Sequence, residues 1–248
     1  MNQESKAIVI KKVKVSGADV LLTLYTRELG KKKVYVKGAR HAKSKFLSAC
    51  QVLVEGDFSL FVRSSLSSIH SVSISDSHSP IREDLEKFFV SSYMLELIDK
   101  FTKEAVPDSA LYDFLSFALK CLEPEHPKNL KFFRMFYTLK LLQKSGLAPE
   151  VNFCTSCLCS DDLRYFSASS GGALCSACRK DYSDVLPLKK ENAEFINLSL
   201  SHSYVAMRKH RALAYDFDEL GRIIDSFLSE HVLNSSLKTL STLRNMDL

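Results

Sequence analysis

The chain has 248 residues, of which 46% are hydrophobic, 25% charged and 10% aromatic, with a formal charge of +5. That length can bury one large core or two small ones, and no run approaches 18 consecutive apolar residues, so no membrane-spanning helix is expected. The charge is uneven: residues 1–50 hold 12 Lys/Arg against 3 Asp/Glu, and the other 198 hold 22 against 26. Such asymmetry points to an anionic partner at the front of the chain. The opening MNQESKAIVIKK lacks the charged-then-apolar order and small-residue cleavage site of a signal peptide. A cytoplasmic location without membrane attachment is expected, and the seven cysteines read as thiols or metal ligands before disulfides.

In chain order, AIVIKKVKV (7–15), ADVLLTLYT (18–26), KKVYVKG (32–38) and CQVLVEGDFSLFV (50–62) read as strands, the last split in two by a turn at Gly56-Asp57. Five strands in about 75 residues fit an OB-type barrel, with an SH3-like barrel left open by the period alone. Residues 64–79 contain nine serines and read either as a linker or as a weak last strand, because Val72 and Ile74 alternate with serine; the strand, running into a linker, is the reading adopted.

After Pro80 the period becomes helical. One helix is expected over 82–104, with Leu85, Phe88, Phe89, Leu95 and Ile98 on its apolar face and Arg82, Glu83 and Asp84 in its first turn. A second is expected over 109–123 behind Asp108 or Ser109. A third covers 129–146 and stops at Gly146, with Pro149 following. A late one covers 216–233 behind Asp216. The expected organisation is an α+β multidomain chain: an OB-type barrel at 1–79, then a helical domain at 80–248 interrupted at about 150–185.

That interruption carries the most specific signal. Cys154-x2-Cys157 and Cys175-x2-Cys178 are separated by 17 residues with Gly171-Gly172 between them. This is the spacing of a four-thiolate zinc ribbon, each pair clamping one edge of a tetrahedral ion. One structural Zn2+ per chain is expected, because a closed four-cysteine site keeps no open position for catalysis. A redox CxxC and unliganded thiols are the other readings. Cys159 either replaces Cys157 in a second register or is a spectator, the reading adopted; Cys50 and Cys121 read as core residues.

The basic run GKKKVYVKGARHAKSKF (30–46) holds Lys31, Lys32, Lys33, Lys37, Arg40, Lys43 and Lys45 without an acid. Alternation puts Val34 and Val36 on one strand face and Lys33, Tyr35 and Lys37 on the other. With the valines inward, lysines can track phosphates while bases stack on Tyr35; packing of Tyr35 against the helices is the alternative. A membrane-surface role is disfavoured, since no amphipathic helix accompanies the cluster. No G-x-x-x-x-G-K-[ST], H-E-x-x-H or G-x-S-x-G is present, and the histidines and carboxylates form no catalytic set. Nucleic-acid binding rather than enzymatic chemistry is expected, with a zinc-ribbon adaptor between proteins, or a nucleic-acid enzyme whose catalytic residues follow no recognised motif, as the alternatives.

Four stretches together resemble the RecO family of bacterial recombination mediators: YTRELGKKKVYVKGARHAKSKF (25–46), LKLLQKSGLAPEVNFCTSC (139–157), FSASSGGALCSAC (166–178) and FLSEHVLNSSLKTLSTL (227–243). Two departures stand out. His41 replaces an arginine of the family pattern, and NSSLKT (234–239) replaces a more basic tail, which puts a C-terminal DNA contact in doubt. Some family members lack the cysteines, in keeping with a structural metal. The resemblance implies an N-terminal OB fold, a helical domain and a zinc ribbon. It further implies binding of single- and double-stranded DNA, annealing of complementary strands coated with single-strand-binding protein, and docking of that protein's C-terminal tail. Joint action with RecR to load RecA, and a nucleoid-associated location, follow from the resemblance alone.

Overall fold

The structure, a computed structural model, describes residues 2–62, 66–211, 213–232, 237–246 and 248. The expected strand and tail readings that fall on 63–65 and 233–236 lie outside the described residues. The chain divides into two compact units, 1–125 and 126–248.

In the first unit β1 (Asn2–Lys14), β2 (Val20–Thr26), β3 (Gly30–Val36), β4 (Glu55–Phe61) and β5 (Ser67–Asp76) close a barrel in the order β1-β2-β3-β5-β4. All neighbours are antiparallel except β3 and β5, which meet in parallel at Val34↔Ser67 and Tyr35↔Ser68. This is the OB-type arrangement. Its interior follows the period of two: Val20, Leu22 and Leu24 of β2 face Val34 and Val36 of β3 and pack with Val9, Phe58 and Leu60. The serine-rich stretch is a full strand, in which Ile69 and Val72 contribute to the core.

Two expectations are corrected here. Residues 50–54 are turns rather than strand, with Leu53 at φ 75; Leu53 N–H donates to Val9 O (2.9 Å) and Val9 N–H to Val54 O (2.9 Å). Gly56-Asp57 is not a turn but the interior of β4. The glycine is required by a neighbour distant in sequence: a Cβ there would lie 2.4 Å from Ser73 O on β5. Gly56→Ala is therefore expected to force β4 and β5 apart at the cost of about 1–3 kcal/mol, read as a lower denaturation midpoint with metal content unchanged.

Three helices complete this unit: α1 (Ser79–Glu83), α2 (Leu85–Phe101) and α3 (Ser109–Leu122). The single expected helix over 82–104 is broken because Asp84 leaves helical geometry (φ −108, ψ 116) and caps α2 by accepting from Lys87 N–H. Asp108 caps α3 in the same way, accepting from Leu111 N–H (2.9 Å). Tyr25, on the outer face of β2, is fully buried against Tyr112 of α3 and donates to Asp108 O (3.2 Å). At the barrel–helix junction lies His78, with no exposed surface. Its Nδ1 is 2.5 Å from Glu123 Oε1 and 3.7 Å from Asp76 Oδ1, and its Nε2 is 3.5 Å from Glu55 Oε2.

The second unit is built on α4 (Leu130–Lys144), buried along almost its whole length. A Schellman motif ends it: Gly146, at φ 74, donates to Gln143 O and Leu147 N–H to Leu142 O (2.9 Å). Around it lie β6 (Leu163–Ser167), β7 (Gly172–Cys175) and β8 (Val185–Pro187), in the order β7-β6-β8, then α5 (Lys190–Ser201), α6 (Tyr204–Met207), α7 (Phe217–His231) and α8 (Lys238–Asn245). Asp216 caps α7, accepting from Asp218 and Glu219 N–H. The aromatic residues of α4 meet those of the later elements: Phe132 with Phe195 at 5.3 Å and Phe133 with Tyr204 at 4.8 Å between ring centres. No described helix is long and apolar enough to cross a membrane.

Candidate metal centre and nucleic-acid interface

The two CxxC knuckles come together. Cys154 sits in a loop closed by Cys154 N–H donating to Cys159 O and Leu158 N–H to Cys154 O (both 2.8 Å), with Leu158 at φ 63. Cys175 ends β7 and Cys178 opens a short 3-10 helix. Gly172 lets the two halves approach, because a Cβ there would lie 2.1 Å from Glu150 O. The four sulfurs of Cys154, Cys157, Cys175 and Cys178 all lie within 4.8 Å of one another, and those of Cys157 and Cys175 are 3.8 Å apart. Thiolates about 2.3 Å from a tetrahedral ion sit about 3.8 Å from each other, whereas a disulfide needs about 2.05 Å.

The four thiols also influence one another electrostatically. Burial opposes ionisation of Cys154, but the backbone N–H groups of Cys157 and Cys175 bring it down to about 6. Cys178 has help from Ser156, yet the sulfurs of Cys157 and Cys175 push it up to about 12. Four thiolates so close repel one another, and a divalent ion would remove that repulsion. The four residues therefore fit a metal ion. Cys159 stands beside the set and is pushed up to about 12, first by the Cys157 sulfur.

On the barrel the basic run divides in two. Lys31, only 11% exposed, donates to Asp99 O (2.6 Å) and Oδ1 (2.7 Å) at the end of α2. Lys33 pairs with Glu104 at 2.6 Å, both side chains more than half exposed, a pairing that contributes little and can exchange. Lys32 is half-buried. Val34 and Val36 point inward as expected, and Tyr35 is half-buried, its hydroxyl donating to the Asp19 carboxylate. That hydroxyl, together with Gly38 N–H at 2.7 Å, holds Asp19 below the usual carboxylate range. Lys37, Arg40, Lys43 and Lys45 are all exposed. The Arg40 guanidinium donates to Gly17 O, and Arg40 N–H to Ala18 O at 2.9 Å, tying the β3–β4 connection to the β1–β2 turn. Lys45 Nζ lies 4.8 Å from the centre of the Phe46 ring.

Strand register extends this cationic end. Lys14 pairs with Val20 and Val20 with Val36, so the end of β1, the start of β2 and the end of β3 lie side by side. Lys12 and Lys14 therefore lie at the same barrel end as Lys37 and Arg40, but opposite the inward-facing Leu22 and Val20, and Lys12 Nζ lies 3.5 Å from Gln51 Oε1. Asp19 is the only acid in residues 5–27, and 29–54 contain none. Sequence reasoning passes over Lys12 and Lys14, although IKKVKV places both on one strand face. Acids gather elsewhere on the barrel, where Glu4, Glu28 and Asp57 line a shallow groove with Lys6.

In the family comparison, the model described as Recombination protein O N terminal matches residues 1–78, and that described as Recombination protein O C terminal matches 82–241. The chain belongs to the RecO family. Several proteins named DNA repair protein RecO are similar over more than nine-tenths of their length. The one from Thermoanaerobacter sp. (strain X514) is 31% identical over 229 residues, 92% of each chain. The one from Caldanaerobacter subterraneus subsp. tengcongensis is 29% identical over 229 residues, again 92% of each. The one from Acetivibrio thermocellus is 27% identical over 245 residues, 98% of this chain and 97% of that one. The first RecO match ends just before α1 and the second begins within it, whereas the compact units divide after residue 125.

Proposed function

We propose that this RecO-family protein is a recombination mediator of DNA repair. It binds single- and double-stranded DNA, anneals complementary strands coated with single-strand-binding protein and, with RecR, helps load RecA in the cytoplasm at the nucleoid. The observation that carries the DNA-binding part is the barrel end at which Lys37, Arg40, Lys43 and Lys45 are all exposed, with Lys14 at the adjoining end of β1. Lys32, Lys33 and Tyr35 flank this surface; Lys31, engaged by Asp99, supports it. Residues 1–79 form the nucleic-acid-binding domain, and 80–248 the helical domain with its ribbon insertion at about 150–185.

The mechanism is electrostatic. Cations on one face displace counterions from phosphates and screen the repulsion between two strands. On this reading the step needs no nucleotide and makes or breaks no covalent bond. The four-cysteine set holds one zinc in a structural role. For the C-terminal tail of single-strand-binding protein the reading assigns a groove of ≈ 370 Å³ lined by Lys131, Arg222, Phe217 and Leu248, with Asp218 and Asp225 also on its wall.

The test is a salt titration of binding to a fluorescent single strand, wild type against Lys37, Arg40, Lys43 and Lys45 all changed to Ala. Lys31 is left intact because its removal would disturb α2 as well. The log–log slope is expected to shrink by about 0.7 per lost phosphate contact. An unchanged slope would remove DNA from this face. A second reading, a ribbon adaptor between proteins, draws on Phe153 (50% exposed) and Leu158 (75% exposed) on the first knuckle. Under that reading, changing both to Ser would abolish partner capture while leaving DNA affinity intact.

A further inference from the structure

The second unit carries a cationic surface that the barrel does not explain. Residues 195–215 contain no Asp or Glu but include His202, Arg208, Lys209, His210 and Arg211. The segment is anchored from below. Tyr204 and Met207 of α6 are buried, Tyr204 packs on Phe133, and Ser203 caps α6 by accepting from Ala206 N–H (3.3 Å). Arg211 lies over the rings of Tyr204 (5.4 Å) and Phe132 (5.6 Å), which fixes the far end of the turn. What remains outward is Arg208 and Lys209, both exposed and without an ion pair among the described residues. The rings of His202 and His210 stand beside them, 6.1 Å apart and edge to face. Val205 (62% exposed) and Leu213 (46% exposed) flank the cations.

A solvated charge run usually mixes signs, and this one does not. Exposed cations beside half-buried histidine rings and exposed apolar side chains are the ingredients of a single-strand surface, with phosphates on the cations and bases against the flat or apolar groups. We infer that the face formed by His202, Val205, Arg208, Lys209 and His210 is a second nucleic-acid contact that holds one strand while the barrel holds the other. The inference rests on the proposed DNA-binding reading and deepens it. At the barrel end alone, two strands would share one set of cations. Two cationic faces on two units allow both to be held.

The experiment uses the full chain and two complementary labelled oligonucleotides. Arg208→Ala with Lys209→Ala is expected to slow annealing about tenfold, as loss of two phosphate contacts near 0.1 M salt implies. Metal content serves as the folding control. The same pair, added to the variant lacking Lys37, Arg40, Lys43 and Lys45, should reduce the residual single-strand salt slope by about a further 1.4. Arg208→Lys should restore most of the annealing rate, since a phosphate contact requires charge. Should the wild type bind DNA while annealing and residual slope are untouched by the pair, the face is a solvated surface and the inference falls, with the barrel reading intact. A wild type that does not bind DNA at all would overturn both.

Discussion

Cys154→Ser is expected to leave the protein with less than about a tenth of a metal ion per chain, against about one in the wild type, and to unfold the ribbon locally. Cys154 has no exposed surface and accepts from Cys175 N–H at 3.5 Å, so it ties the first knuckle to the end of β7. The apolar support around it is small. The buried residues of that cluster are Cys154, Leu174 and Cys175, with only partly buried neighbours such as Leu163, Tyr165 and Val185. The opposite face of the sheet packs on α7, where fully buried Phe166 lies 6.0 Å from Phe227 between ring centres, so it is the knuckles, with only this small cluster, that depend on the metal for order. Structural zinc supplies about 10–16 kcal/mol in small domains of this kind, and that binding energy is folding energy. Elemental analysis gives the stoichiometry, and proteolysis within 155–185 reports the loss of order. Cys159→Ser, by contrast, should retain the metal, since that sulfur stands outside the four that converge. A Cys154→Ser protein that kept its metal, or one that lost it while its ribbon stayed protected, would refute the assignment.

The features legible in the sequence are those set by neighbours along the chain. Alternation in VLLTLYT and KKVYV follows the barrel interior, and the caps Asp108 and Asp216 are local hydrogen-bond devices. CxxC spacing works for the same reason, since each knuckle is a local turn. The misreadings arise where a distant residue decides. Gly56 reads as a turn until Ser73 is seen against it. Helical periodicity runs straight through Asp84, whose backbone nevertheless turns out of the helix. The basic run is visible at once, but not its division: Lys31 and Lys33 are matched by Asp99 and Glu104, about 70 residues on. Nor does one histidine in a serine-rich stretch give any sign of its burial.

That histidine carries the second large effect. His78 is buried between carboxylates from three directions: Glu55 of β4, Asp76 at the end of β5 and Glu123 after α3. Glu55, itself buried, also accepts from Tyr112 Oη (3.0 Å) and Ser116 Oγ (2.8 Å) of α3. Lys87 of α2 donates to Glu123 O (2.7 Å), and Lys120 lies near enough to Glu55 to favour its charge. Burial alone would discharge His78, yet Glu55 and Glu123 together raise its pKa above the ordinary 6.5. Burial likewise opposes the Glu55 charge, and His78 with Ser116 and Tyr112 brings its pKa below the ordinary 4.5. A raised histidine stabilises the fold fully below pH 6.5 and loses that contribution as pH rises through its folded value; a depressed glutamate loses its contribution as pH falls through its own. The junction should therefore be most secure between about pH 4.5 and 6.5 and weaken on the alkaline side. His78→Gln removes the cation from between buried carboxylates. It should cost about 3 kcal/mol, the low end for a broken buried pair because Glu123 is one-quarter exposed. Hydrogen exchange of β4 and α3 gives the readout. Wild-type protection should fall as pH rises past 6.5, after correction for intrinsic exchange. The variant should start lower and stay nearly flat. Parallel pH profiles for the two proteins would mean that His78 is held neutral, and the ionic latch between barrel and helices would have to be abandoned.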